Sequence, residues 1–205
     1  DLEDRIGVIE CDATQVQLSG YQAQVVVSEN LSNGLFDEPQ FDIIHHLSQF
    51  AVSDATIIPG WAELMVSLGW SAWEGVAESY KTIRQLPDLV KLSGYSKLGK
   101  VKSVVGMGIP QIEGEANLEY SDLSHVANAL IVSTRFAIYD GDSPIYLEPD
   151  SAEFLGKSTA FKIEGELLPE ESVRFYASYP AGIRKKYMKA SAEADFVKLV
   201  RVEDL

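Results

Sequence analysis

Residues 59–80 read PGWAELMVSLGWSAWEGVAESY, and the fold turns on whether this stretch is helical. After Pro59 and Gly60, the residues Trp61, Leu64, Met65 and Leu68 fall at i, i+3, i+4 and i+7, the spacing of one buried stripe along a helix. Gly69 stops that stripe. Ser71-Ala-Trp-Glu74 then has the Ser-x-x-Glu spacing of a capping box, in which the hydroxyl and the carboxylate satisfy the first free amides of a helix. A second stripe of Trp73, Val76, Ala77, Tyr80 and Ile83 follows and ends before Pro87. The pattern predicts a central helical segment over about residues 60–98.

On the N-terminal side, Arg5 to Glu10 and Gln22 to Ser28 are short and rich in Ile and Val, and read as strands. Asn30 to Gln40, with Asn33-Gly34 and Pro39, reads as a loop. In Phe41 to Val52, Phe41, Ile44, Leu47 and Phe50 recur every three residues, which favours a helix. On the C-terminal side the period changes to two. Ile112, Gly114, Ala116, Leu118 and Tyr120 alternate with Glu113, Glu115, Asn117 and Glu119, as in a strand with one apolar and one wet face. Two hairpins are expected: Arg135–Tyr139 with Pro144–Leu147, turning at Asp140-Gly141, and Thr159–Leu167 with Val173–Ser178, turning at Pro169-Glu-Glu. Ser121 to Thr134 reads as helix entering strand, and Ala181 to Val197 as a terminal helix. The sequence therefore predicts an α+β fold, with the central helical segment packed on a mainly antiparallel sheet built from the N-terminal strands and C-terminal hairpins. A single domain over 1–205 is expected, its one weak boundary near 86–103.

Composition narrows the function classes. With 46% apolar and 10% aromatic residues the chain can bury a core, which excludes disorder over most of its length. One thiol, Cys11, cannot form an internal disulfide or a Cys-rich metal site, and no run of about 18 apolar residues could span a bilayer as a helix. The opening Asp-Leu-Glu-Asp has no signal-peptide character, and a cytoplasmic location is expected. The net charge is −14, unevenly spread. Residues 1–80 carry 13 acids and one base, residues 81–102 six bases and one acid, residues 103–183 13 acids and four bases, and residues 184–205 six bases and four acids. A chain of this charge approaches a nucleic-acid backbone against its own field, so cationic partners, neutral small molecules and other proteins are favoured over nucleic acid or membrane.

Motif signals are weak. Gly94-Tyr-Ser-Lys-Leu-Gly99-Lys100 has the spacing of a phosphate loop, but Val101 stands where a Ser or Thr would hold magnesium. Gly106-Met-Gly108 lacks the third glycine of a dinucleotide turn. Cys11 between Glu10 and Asp12 is a poor nucleophile, because the flanking charges oppose the thiolate. The acidic rows Glu113, Glu115, Glu119 and Glu164, Glu166 read as wet strand faces before they read as a hydrolytic acid–base pair. Asp140-Gly-Asp142 reads as a turn before a calcium loop. Asp42 and His46 stand at i, i+4, Asp122 and His125 at i, i+3. With His45, these five are the candidate catalytic constellation of a small hydrolase or metal-dependent enzyme.

Trp61, Trp70 and Trp73 lie within 13 residues and could line a ligand pocket, Trp70 being the one expected to be partly exposed. The first expectation is a non-enzymatic interaction or assembly protein, self-associating or binding a protein partner, with no cofactor and no metal. Its interface would use Trp70, Lys97, Lys100, Lys102, Arg184, Lys185 and Lys186.

Overall fold

In the computed structural model, which describes residues 3–120, 125–139, 142–149, 157–165, 167, 172–193 and 196–202, residues 61–70 form a strand. The elements in chain order are β1 (Ala23–Val27), α1 (Gln40–Leu47), β2 (Ala51–Ile58), β3 (Trp61–Trp70), β4 (Tyr80–Thr82), β5 (Val90–Lys91) and β6 (Ser96–Lys102), then β7 (Gln111–Glu119), β8 (Ala129–Tyr139), β9 (Ile145–Leu147), β10 (Thr159–Gly165), β11 (Ser172–Pro180), β12 (Met188–Glu193) and β13 (Phe196–Arg201). The fold is mostly β, and the predicted α+β architecture with a central helical segment does not hold.

The helical spacing in 61–70 is a by-product of burial on both faces. Ala62, Leu64, Val66 and Leu68 point into the main core. The opposite side of β8 is covered too, by a smaller cluster in which Trp73 and Leu86 pack with Ala129, Ile131 and Ala160, and on that side of β3 Trp61, Glu63 and Ser67 are also buried. A strand buried on both sides is apolar at nearly every position, and a nearly continuous apolar run contains i, i+3, i+4, i+7 by accident. The second predicted helix is absent for a related reason. Ser71 caps no helix: its hydroxyl donates to Asp88 Oδ1 at 2.7 Å, and Trp73 sits in the left-handed region at φ 54°. The terminal helix expected over Ala181–Val197 is instead β12 and the start of β13, whose residues Met188, Ala190 and Ala192 alternate inward.

Eleven strands make one curled sheet in the order β5-β3-β8-β10-β12-β13-β11-β7, with β6 beside β5 on the same edge of β3, β9 on β8 and β4 on β10. The predicted hairpin of β8 and β9 is present, Ala137 opposite Tyr146. The second predicted hairpin is not, because β10 pairs with β8 and β12 while β11 pairs with β7 and β13. The sheet curls until β7 meets β6. Ser96 Oγ donates to the Asn117 carbonyl at 2.7 Å, and a Cβ on Gly114 would lie 2.4 Å from the Leu98 carbonyl oxygen. Only glycine permits that approach. The interior is filled by aliphatic and aromatic side chains from every long strand, Phe136, Phe161, Phe175 and Tyr179 among the largest.

The strand expected at Gln22–Ser28 exists as β1 but lies outside this sheet. It pairs in parallel with β2, Val25 opposite Thr56 and Val27 opposite Ile58, and α1 packs on the pair through Ile44 against Val26 and Ile57. Residues 6–10, expected as a strand, are not in one.

Barrel closure at Gly114 is testable by urea unfolding. Gly114→Ala should destabilise the chain by about 1–3 kcal/mol through overpacking against the Leu98 carbonyl. Gly108→Ala, where an added Cβ meets nothing within 4 Å, should stay within about 0.5 kcal/mol of wild type.

Candidate functional site

The most constrained surface feature is the loop between β1 and α1. Gly34, Leu35 and Asp37 all have positive φ, at 72°, 56° and 63°. For Leu and Asp this conformation costs of order 1 kcal/mol or more each, so the surroundings must impose it. Two kinds of contact do so. Leu35 and Phe36 are driven into the barrel, where the fully buried Phe36 ring stacks on Tyr179 at 5.0 Å between centroids and meets Phe161 edge-on at 5.5 Å. Around this plug the loop backbone is clamped. Thr134 N–H donates to Asn33 Oδ1 at 2.6 Å, Gly34 N–H donates to Thr134 Oγ1 at 2.7 Å, and the Tyr179 hydroxyl donates to the Gly34 carbonyl at 2.9 Å. β10 pairs with β8 only as far as Thr159 opposite Val132, so Asn33 supplies the partner that the Thr134 amide would otherwise lack. Burial pushes the Tyr179 phenol far up, so it remains a donor at every physiological pH.

The segment between β11 and β12 completes the clamp. Gly182 N–H donates to the Leu35 carbonyl at 2.7 Å and Asp37 N–H to the Ile183 carbonyl at 3.0 Å, while the Asp37 carboxylate takes the Lys185 N–H at 3.0 Å and Lys185 Nζ at 3.2 Å. The loop thus holds three acids, Glu29, Asp37 and Glu38. Asp37 is neutralised by Lys185, whereas Glu29 and Glu38 are exposed and have no ion pair among the described residues. Beside them, Ser28 Oγ and both amide atoms of Gln40 are buried without a hydrogen-bond partner among the described residues.

The predicted histidine constellation is not assembled in this way. His45 and His46 lie on α1, and each spends a ring nitrogen on a backbone carbonyl: Nδ1 of His45 donates to Met107 and Nε2 of His46 to Val16, both at 2.7 Å. Asp42 is exposed on the same helix. His125 lies against Trp70, ring centroids 4.9 Å apart. The loop carrying Met107 begins at the Trp61 end of β3, where Ser103 N–H meets the Gly60 carbonyl, and Trp70 is nine residues further on, roughly 30 Å along a strand. Asp122 lies outside the described residues. Among the described residues no three His, Cys, Asp or Glu side chains gather as a metal site would need.

The tryptophans divide. Trp61 and Trp73 are buried, the latter with its Nε1 donating to Asn128 Oδ1 at 3.3 Å, and Trp70 is half-buried against His125. The basic interface residues are placed with more order than their spacing suggests. Leu98 is an extra residue in β6, so Lys97 stands opposite Met65, Lys100 opposite Glu63 and Lys102 opposite Trp61, all on one face. Lys97 pairs with Glu63, and Lys100 lies 3.6 Å from the Trp61 ring centroid. Arg135, its charge held on by Glu148 and by the more distant Glu63, lies 4.5 Å from the Tyr146 ring. Lys102 is the lysine of the three without a partner among the described residues. Arg184 and Lys186 are exposed, and Lys185 is committed to Asp37.

A solved structure shares this architecture. A chain of the Trypanosoma brucei PRMT1 enzyme–prozyme heterotetrameric complex with AdoHcy superposes with a TM-score of 0.61 at 15% identity. The fold is similar to that chain's. The match covers 94% of this chain and 65% of the PRMT1-complex chain, so the present chain spans less than two thirds of its length. No known protein family and no curated protein sequence matches. No helix among the described residues is long and apolar enough to cross a membrane.

Two predictions follow from the geometry. Tyr179→Phe leaves the buried Gly34 carbonyl without its donor and should cost about 1–3 kcal/mol in urea unfolding. Asp88 is held below its ordinary value of 3.8 by the Ala72 amide first and the Ser71 hydroxyl second. A carboxylate whose native value is lowered stabilises the fold fully above its unfolded value and loses that contribution as the pH falls through the native one. Asp88→Asn should therefore narrow the stability difference between neutral pH and pH below 3.8, measured by thermal unfolding across that range.

Proposed function

We propose that this chain is the recognition and assembly portion of a methyltransferase-like protein, in which the loop over residues 29–38 receives a cationic side chain of a protein partner. The observation that carries the reading is two exposed carboxylates without an ion pair among the described residues, Glu29 and Glu38, on either side of the segment 33–37 that the barrel clamps. Beside a clamped backbone, mainly side-chain freedom remains to be lost when a glutamate binds a cation. The surrounding charge of −14 adds long-range attraction for a positively charged partner. Likeness to a subunit of a heteromeric complex supports partnership with another protein chain.

The described residues fit the methyl donor's side of such chemistry poorly. A cavity of about 210 Å³ beside β1 is lined by Leu18, Tyr21, Ala23, Val25, Val26, Val27, Leu47 and Phe50, with the Tyr21 hydroxyl as its one polar side-chain group. A ligand such as AdoHcy, with ribose hydroxyls and an amino-acid head, needs several polar partners that this lining lacks. The face of β1 that carries the exposed Val25 and Val27 suits a covering partner, because parallel sheets are ordinarily covered on both faces.

The test is titration of pentalysine and pentaglutamate into the purified chain, with native mass measured at low and high salt. Pentalysine alone should bind, more weakly as salt rises, and Glu29→Gln and Glu38→Gln should each weaken it roughly ten-fold, the equivalent of about 1.5 kcal/mol for one charge-assisted hydrogen bond. Equal binding by the doubly substituted chain would show that general surface charge, not the loop, attracts the cation.

A further inference from the structure

Two strips of opposite charge run side by side on the outside of the barrel, along the seam where β6 meets β7. On one side the bulge at Leu98 sets Lys97, Lys100 and Lys102 on a single face, with Arg135 beyond them on β8. Against these four bases stand Glu63 and Glu148, so the strip carries +2. On the other side β7 turns Glu113, Glu115 and Glu119 outward, with Arg174 reaching Glu115 at 3.4 Å, so that strip carries −2. Contacts across the seam fix the register. Ser96 Oγ donates to the Asn117 carbonyl at 2.7 Å, and a Cβ on Gly99 would lie 3.8 Å from the Glu113 carbonyl oxygen, which sets Lys97 beside Glu115 and Lys100 one residue past Glu113. Lys100 to Lys102 and Glu113 to Glu115 are equal steps of two residues, about 7 Å along a strand. The strips do not neutralise each other. Lys97 pairs with Glu63 and Lys100 lies over the Trp61 ring, both toward β3, while Glu115 pairs with Arg174 and Glu113 accepts the Tyr176 hydroxyl at 3.2 Å, both toward β11. We propose that this double strip is a self-recognition surface, on which a second copy of the chain docks about a two-fold axis parallel to the seam. Such an axis exchanges the two sides of the seam and keeps position along it. The basic strip of each copy then lies over the acidic strip of the other, Lys97 facing Glu115 and Lys100 facing Glu113 twice over in one isologous contact. At −14 two copies repel at long range, so attraction needs a local match, and exposed ion pairs of this kind give a weak, salt-sensitive dimer. The contact uses no residue of the 29–38 loop and does not rest on the cation-site reading.

Sedimentation of the purified chain is the test. At about 0.01 M ionic strength, where charges act over roughly 30 Å, the mass should rise above that of the monomer as protein concentration increases, and at about 1 M salt it should return to the monomer. Lys100→Glu with Lys102→Glu turns the basic strip to −2 and spares the Lys97–Glu63 pair, whereas Glu113→Lys with Glu115→Lys turns the acidic strip to +2. Either double change sets like against like and should weaken self-association about ten-fold or more. Mixed together, the two variants should associate at least as well as the wild type. Their net charges, each displaced by four from −14, are −18 and −10, so overall charge alone would keep them apart. All four changes in one chain exchange the strips at an unchanged −14 and should restore the dimer. Thermal unfolding shows that each variant is folded before its mass is read. Where a reversal unfolds the chain, Lys100→Gln and Glu113→Gln take its place, each expected to weaken association about three-fold. A wild-type chain that stays monomeric at low salt overturns the proposal, as does a dimer indifferent to the changes in both strips. A mixture of the two folded double variants that stays monomeric overturns it as well.

Discussion

Phe36 is the contact on which the candidate site depends. Its ring, fully buried between Tyr179 and Phe161, ties the small parallel unit of β1, β2 and α1 to the barrel and pulls the intervening loop backbone against β8. Burying a phenylalanine yields roughly 1.5–3 kcal/mol, the same order as the strain of the positive φ angles at Leu35 and Asp37. Thr134 Oγ1 and the Tyr179 hydroxyl then satisfy both backbone groups of Gly34, and Asn33 Oδ1 accepts the Thr134 amide of β8. The backbone conformation of residues 33–37 is thus a consequence of the barrel interior.

What could be read from the sequence follows from which faces are wet. β7 is legible because Glu113, Glu115 and Glu119 stay in solvent while Ile112, Ala116 and Leu118 go inside, so the period of two survives. α1 is legible over Gln40–Leu47 because Phe41 and Ile44 are buried and Asp42 and His45 are not. β3 is not, because Trp61, Glu63 and Ser67 are buried on its second face, which removes the evidence of alternation. The pairing of β10 and β11 is hidden for another reason: each finds its ladder partners outside the expected hairpin, and local turn chemistry carries no information about that.

The candidate site was half visible. Asn33-Gly34 and Pro39 mark a loop, and Leu35-Phe36 inside it is an apolar pair where polar residues are usual, which is the signal that the loop is plugged into a core. Nothing local shows that Lys185 returns to Asp37 across 148 residues. The histidines carry a contact that the spacing does not show: i, i+4 puts Asp42 and His46 on one helix side, and Nε2 of His46 donates to the Val16 carbonyl. The lysines of β6 are aligned by a bulge at Leu98 that no simple period predicts.

The meeting of β6 and β7 has a consequence for motion. Most neighbouring strands in the barrel are joined by a ladder of amide hydrogen bonds, but these two touch through Gly114 and one serine hydroxyl, with no ladder between them among the described residues. Such a seam has little cooperative bonding to lose when it parts, so it is the place where the cylinder can unzip without unfolding. The barrel is thus a sheet rolled shut along one line, where side-chain packing of Leu98 with Ile112, Ala116 and Leu118 in the shared core stands in for a hydrogen-bond ladder.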